Sequence, residues 1–492
     1  MNPLKKLAGQ TVIYGLSSVV GRLLNYLLVP LYTRYFLPDE YGVVIEMYAY
    51  VAFLVVFLTY GIETAFFRYS HKFSNKKTVY STSLISLITT STIFIVTIYV
   101  FAQPIANWLQ YPETPEYVKY FALIIGLDAI SSISFAKLRE KNKATRFALI
   151  RLVNIFVNIG LNLFFIIYCP YALEKGLSSS EFVNSVYSEE VGIGYIFIAN
   201  LIASIVTFLM LLPQMLKSVW IFDKSLWKNM MVYALPLLIA GLAGMTNETI
   251  DRVLLKHLLP PETNANSELG LYGAFYKLSV LMILFIQTFR FAAEPFFFAQ
   301  EKEKNSKKIY ADVMKYFVII TSFIFLVVTM FYEYIILFLG SNYHDPRGFK
   351  VVSILLAANL FLGIYYNLSI WYKLSEKTKY GAYLSIFGAV ITIFLNFILI
   401  PIIGFVGSAW ATLLCYFVMT VTSYFLGKNH YKIPYNLRKI FFYLALVLSM
   451  YFSSIYFDSN TISVIYIIVF ISIAFYLEKP KKAVFSNPEL FD

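Results

Sequence analysis

Apolar stretches of roughly twenty residues recur from one end of the chain to the other, separated by short polar or basic segments. A helix that crosses a bilayer needs about 20 predominantly apolar residues. The pattern predicts fourteen such helices, at 9–31, 41–62, 79–102, 117–136, 144–169, 191–214, 228–250, 269–290, 313–340, 349–372, 379–400, 404–427, 437–457 and 461–477. The longest connection, around 170–190, carries Ser and Glu and is too small for a domain. The expected fold class is an all-α membrane protein with no soluble catalytic part. Lys5 and Lys6 precede the first apolar run, which reaches Pro30, contains Arg22 and Asn25, and is followed by no small-residue cleavage site. It therefore reads as a permanent span rather than a cleaved signal.

Composition sharpens this picture. Of 492 residues 59% are hydrophobic and only 14% charged, where soluble domains carry roughly 25% charged residues. The formal net charge of +12 sits mainly in alternate loops. One set holds Lys76 and Lys77, then Lys137, Arg139, Lys141 and Lys143, then Lys217, Lys224 and Lys228, and continues in that manner to Lys481 and Lys482; the opposite set is sparsely basic and mixed with acids such as Glu113, Glu116, Glu189 and Glu190. Basic loops stay in the cytoplasm, so both ends are expected there and nucleic acid is not an expected partner. Cys169 and Cys415 fall at different predicted depths, and His71, His257, His344 and His430 form no ligand spacing. No phosphate-binding glycine loop is present. No cofactor, metal or ATP hydrolysis is expected, and the identity of a coupling ion, Na+ or H+, stays open.

The chain also repeats itself. Tyr41-Gly42 recurs as Tyr272-Gly273, and Glu63 with Phe66-Phe67 recurs as Glu294 with Phe297-Phe298, both 231 residues later. Lys137-Leu138-Arg139-Glu140-Lys141 recurs as Lys373-Leu374-Ser375-Glu376-Lys377, Leu161-Asn162 as Leu395-Asn396, and Val191-Gly192 as Val406-Gly407. The spacing shortens only where the second half lacks the 170–190 loop. Five matches in order predict two six-helix lobes, 1–227 and 228–436, related by an axis along the membrane normal with a cavity between them. Residues 437–492 add two helices and a cytoplasmic tail.

With the duplicated halves, the two extra helices and the opening residues Leu7-Ala8-Gly9, Tyr14-Gly15-Leu16, Pro30-Leu31-Tyr32-Thr33-Arg34-Tyr35-Phe36-Leu37 and Tyr41-Gly42, the chain resembles the polysaccharide flippases of the multidrug/oligosaccharidyl-lipid/polysaccharide superfamily. Lipid II flippases and multidrug extruders are similar in plan. The resemblance implies a transporter that moves an undecaprenyl-diphosphate-linked oligosaccharide across a bacterial inner membrane by alternating access, for O-antigen, capsule or exopolysaccharide synthesis. Membrane lipids and other polysaccharide assembly proteins are the implied partners. It further implies a lipid-tail groove at the extra helices.

Charges inside the membrane are costly and usually face a cavity or a partner. Arg22 has no counterpart in the second repeat, where Gly241 stands, which favours a cavity-facing role on a diphosphate or sugar acid over a structural pair. Glu46 and Lys277 occupy equivalent repeat positions with opposite charge and are expected as an outer gating pair, with snorkelling to the headgroups as the alternative. Lys277 also belongs to the expected cavity set, as does Arg290, one turn before Glu294, either as a helix-end partner or against an anionic headgroup. Asp128 and Arg151 are expected as a structural pair. Pro236 marks an expected bend. A drug extruder would call for an acidic coupling centre, whereas the intramembrane residues lean basic. A polysaccharide polymerase or glycosyltransferase would call for a large outer loop or a cytoplasmic carboxylate motif, and nothing points to a scaffold.

Overall fold

The computed structural model describes residues 20–478, apart from 74, 302 and 458. Among the described residues there is no strand, and thirteen helices are long and apolar enough to cross a membrane. They are α1 (Pro38–Lys72), α2 (Lys76–Val100), α3 (Pro115–Glu140), α4 (Ala144–Glu174), α5 (Gly194–Leu216), α6 (Lys224–Leu258), α7 (Val280–Phe298), α8 (Ser306–Met330), α9 (Arg347–Leu374), α10 (Lys379–Ile403), α11 (Phe405–His430), α12 (Leu437–Phe457) and α13 (Asn460–Leu477). The all-α membrane class stands, and each of the thirteen overlaps an expected span. The remaining expected span, 9–31, begins outside the described residues; its described part is helical over 20–26. The expected tail beyond 478 also lies outside them.

Helix starts follow local chemistry. Pro38 opens α1, and the Glu40 carboxylate accepts a 2.8 Å hydrogen bond from the Leu37 N–H. Asn75 caps α2 and Asp223 caps α6, each side chain accepting from the N–H three residues on. Within α1 the helix is broken at Tyr60 and Gly61, both left-handed. A Cβ on Gly61 would sit 2.9 Å from the Ala234 carbonyl, so both the positive φ and the close approach to α6 call for glycine. That contact lies beside Pro236, which α6 carries within its run.

Packing divides the chain into two compact units. The first comprises residues up to Lys277 with Leu339–Asp345 and Lys379–Cys415, and so contains α1 to α6, α10 and the start of α11. α3 is its most enclosed span, with 72% of its apolar window buried. The second comprises Leu278–Phe338, Pro346–Thr378 and Tyr416 onward. Within it α9 is enclosed, 78% buried, while α13 is 11% buried and presents most of its surface outward. α12 and α13 lie against α8.

Repeated residues make repeated contacts. Glu63 pairs with Arg139 in the first unit, and Glu294 with Lys373 at 2.9 Å in the second. In both cases an acid near a helix end is held by a base from the repeated Lys-Leu-X-Glu-Lys segment. The buried Asn162 and Asn396 each donate to the carbonyl four residues back, at 2.8 Å.

Glu478 follows α13 and ties three helices of the second unit together. Its carboxylate lies 2.7 Å from both Lys315 of α8 and Lys439 of α12 and accepts from the Tyr443 hydroxyl at 3.2 Å. Burial alone would raise its pKa, but hydrogen bonds from Lys315 and Lys439 outweigh burial and hold it below the usual carboxylate value. Replacing Glu478 with Gln is expected to cost on the order of 2 kcal/mol and to loosen α12 and α13 from α8, read as faster hydrogen exchange there. Because the folded pKa is depressed, this stabilisation is complete above the unfolded carboxylate pKa and is lost as pH falls through the folded value. Thermal unfolding of wild type and variant should therefore converge in acid.

Candidate functional site

The least expected feature of the first unit is a set of charged side chains buried among helix ends. Glu46, on α1, is fully buried. Its Oε2 accepts from Lys256 Nζ at 2.8 Å and from the Tyr111 hydroxyl at 2.5 Å. Lys256 also donates to the Leu109 carbonyl at 2.7 Å and lies 3.8 Å over the Tyr111 ring. Tyr111 reaches Asn266 Oδ1 at 3.2 Å. One turn back from Lys256, Arg252 lies 4.2 Å over the ring of Tyr276, and the neighbouring Asp251 accepts from the Tyr272 hydroxyl at 2.5 Å. Residues from both sequence repeats meet here within one packed unit.

The backbone brings them together through glycine. A Cβ on Gly42 would fall 1.9 Å from the Asn266 carbonyl oxygen, one on Gly270 1.8 Å from the Pro38 carbonyl oxygen, and one on Gly273 2.4 Å from Ile45. The start of α1 and the helix Ala265–Leu278 therefore cross at backbone contact, as small residues allow in membranes. This is the physical meaning of the repeated Tyr-Gly pair. Tyr41 packs edge-on against Tyr343, whose hydroxyl donates to the Phe36 carbonyl at 3.0 Å.

The expected Glu46–Lys277 pair is corrected. Glu46 takes Lys256, and among the described residues Lys277 makes no ion pair. The expectation set equivalent positions opposite each other, but Gly42 meets Asn266 and Gly270 rather than its counterpart Gly273. The contact is offset by nearly a turn, and Glu46 faces α6 instead. Asp128 and Arg151 likewise do not come within ion-pair distance of each other; the Arg151 guanidinium lies 4.2 Å over the Phe135 ring and 5.8 Å from that of Phe147.

Arg22 is exposed, on a helical segment whose Gly21 abuts Ile155 of α4. In the second unit Arg290 lies 4.0 Å from Glu294 and 4.7 Å over the Tyr366 ring, and these three line one cavity with Lys373. Arg290 therefore has Glu294, one turn on in the same helix, as a partner. An almost wholly apolar cavity of about 390 Å³ opens among α1, α2, α3 and α6, lined by Tyr50, Phe94, Trp108 and Phe121 among others. It suits hydrocarbon rather than a polar ligand.

Lys256 was missed because the apolar count of α6 stops at residue 250, whereas the helix runs to Leu258. The available signal was helical spacing: Arg252 and Lys256 stand one turn apart. Among the described residues no three His, Cys, Asp or Glu side chains gather to hold a metal ion.

Residues 7–299 match the family described as polysaccharide biosynthesis protein. The chain belongs to that family. No curated protein sequence matches it. Its fold is similar to that of the lipid II flippase MurJ in an inward closed conformation, at a TM-score of 0.73 and 15% identity, covering 94% of this chain and 99% of that one. It is also similar to an inward-facing multidrug resistance MATE family transporter of the MOP superfamily, at a TM-score of 0.63 and 14% identity, covering 85% and 94%. An outward-facing transporter of the same family gives a TM-score of 0.59 at 15% identity, covering 87% and 96%. The polysaccharide biosynthesis member thus has a fold found in flippases and transporters.

Breaking one partner of a buried ion pair strands the other, at a cost of about 3–5 kcal/mol. Glu46→Gln and Lys256→Met are each expected to lower the unfolding temperature in detergent, and the double variant by much less than the two together. Small additive effects would show that the two charges are not coupled.

Proposed function

We propose that this protein flips a lipid-linked oligosaccharide across the membrane by alternating access, without enzymatic chemistry of its own. The observation that carries the reading is the glycine crossing closed by Glu46 and Lys256, in a member of a polysaccharide biosynthesis family with a flippase-like fold. An ion pair is a suitable latch. Its attraction when buried and the hydration of both charges when opened are of similar size, so neither state is a deep trap. One Glu46 oxygen, Oε1, is buried with no partner among the described residues, which lowers the cost of opening further. A carrier with a few kcal/mol between its states can be driven either way by its substrate.

In this reading the two sequence lobes, 1–227 and 228–436, rock about the substrate, and the glycine crossing separates when the outer side opens. Arg22, Lys277 and Arg290 are the proposed cations for a diphosphate or acidic sugar, since a guanidinium or ammonium can offer charge-assisted hydrogen bonds to such groups. The membrane would be a bacterial inner membrane with both chain ends in the cytoplasm, and the product would serve surface polysaccharide assembly.

Loss of the protein is expected to leave a lipid-linked oligosaccharide accumulated on the cytoplasmic leaflet, detected by leaflet-selective labelling of membrane vesicles. Arg22→Ala should reproduce that accumulation at normal protein levels. Unchanged leaflet distribution, with loss of export of small cationic compounds instead, would replace the flippase with an extruder.

A further inference from the structure

A second polar cavity, of about 280 Å³, lies in the first unit on the side of the basic loops, apart from the glycine crossing. Five lysines line it, Lys76, Lys77, Lys137, Lys141 and Lys217, against a single acid, Glu140. Glu140 is already engaged by Lys76 at 2.7 Å, and Lys137 lies 3.4 Å over the Tyr80 ring. Lys77, Lys141 and Lys217 are exposed and make no ion pair among the described residues. The wall is completed by Ser218, whose hydroxyl is buried without a hydrogen-bond partner among the described residues. A cavity with one engaged acid, three uncommitted ammonium groups and a spare hydroxyl donor is built for an anion with several acceptor oxygens.

The chain next to the cavity selects which anion. Val219, Trp220, Ile221 and Phe222 follow Ser218 directly and all four side chains are exposed. The segment is not loose. The Ile221 N–H donates to Ser81 Oγ at 2.8 Å and the Asp223 N–H to Thr82 Oγ1 at 3.1 Å, both on α2. Two hydrogen bonds thus hold four apolar side chains outward beside the lysines. A soluble phosphate would have no use for that apolar edge. A phospholipid would use both parts, headgroup in the lysine cavity and the first acyl carbons along the apolar run that carries Trp220, a residue type enriched at membrane interfaces.

We propose that this cavity is a binding site for the phosphate headgroup of an anionic phospholipid of the leaflet facing the basic loops. The shared chemistry is a phosphate ester, and basic pockets between membrane helices are suited to such headgroups. The site is independent of the transport reading, since its occupation requires no substrate and no movement of the glycine crossing.

The test uses the full-length protein in a neutral detergent, titrated with phosphatidylglycerol brominated in its acyl chains, with tryptophan fluorescence as the readout. Saturable quenching is expected with brominated phosphatidylglycerol and not with brominated phosphatidylcholine, and most of the quenching should vanish in Trp220→Phe. Lys77→Ala combined with Lys217→Ala should shift the curve to about tenfold to thirtyfold higher lipid, while Lys77→Arg with Lys217→Arg should leave it in place. Raising the salt concentration on the wild type should weaken phosphatidylglycerol quenching, which keeps the test decisive if the alanine variant does not fold. The proposal is overturned if phosphatidylcholine quenches equally, if the alanine variant titrates as wild type, if Trp220→Phe retains the quenching, or if inorganic phosphate competes at equal concentration.

Discussion

The buried pair of Glu46 and Lys256 is the constraint around which the first unit is arranged. Two ions taken from water must be held by every group near them, and Tyr111, the Leu109 carbonyl and the Tyr111 ring supply that surrounding. Such a pair contributes little net stability, because attraction barely repays lost hydration. Its value is conditional. In the proposed cycle the closed pair relies on the glycine crossing to exclude water, and in an open state both charges would regain their hydration. Backbone contact at Gly42 and Gly270 leaves no room for a side chain between the start of α1 and the helix Ala265–Leu278.

Where the two repeats agree, the contacts are architectural, and where they differ, the chemistry is asymmetric. Glu63 and Glu294 each take a base from the same repeated segment. Asn162 and Asn396 make the same bond to their own helix, yet Asn162 Oδ1 accepts from the Tyr32 hydroxyl at 3.0 Å while Asn396 Oδ1 is buried without a partner among the described residues. Glu46 and Lys277 differ in sign and in setting. Duplicated scaffolds with unmatched charges give one fold two unequal halves.

Much of the fold was legible because the bilayer leaves few options: unsatisfied backbone is costly in lipid, so long apolar runs become helices. The Tyr-Gly repeat was visible, though not its use as a contact surface. What stayed hidden was a matter of register and of where a helix ends. Lys256 lies past the last apolar residue of its span, so hydropathy placed it in a loop, yet α6 continues and buries it. Strict symmetry put Lys277 opposite Glu46, and an offset of less than one turn removed it. Asp128 and Arg151 were matched by depth alone, which ignores direction around the helix; the arginine lies over the Phe135 ring, and its attraction to Asp128 acts from beyond ion-pair distance.

Transport as proposed requires the crossing of α1 with the helix Ala265–Leu278 to open and close. Spin labels at Leu37 and Glu262, exposed residues that precede the two crossing helices in the chain, report it by electron–electron distance in lipid nanodiscs. A crossing that opens gives one main distance in the wild type and a second, longer population that grows when Glu46→Gln and Lys256→Met are introduced together. A single distance that neither the substitutions nor substrate alters would mean that the crossing is permanent and that the pair is not a latch.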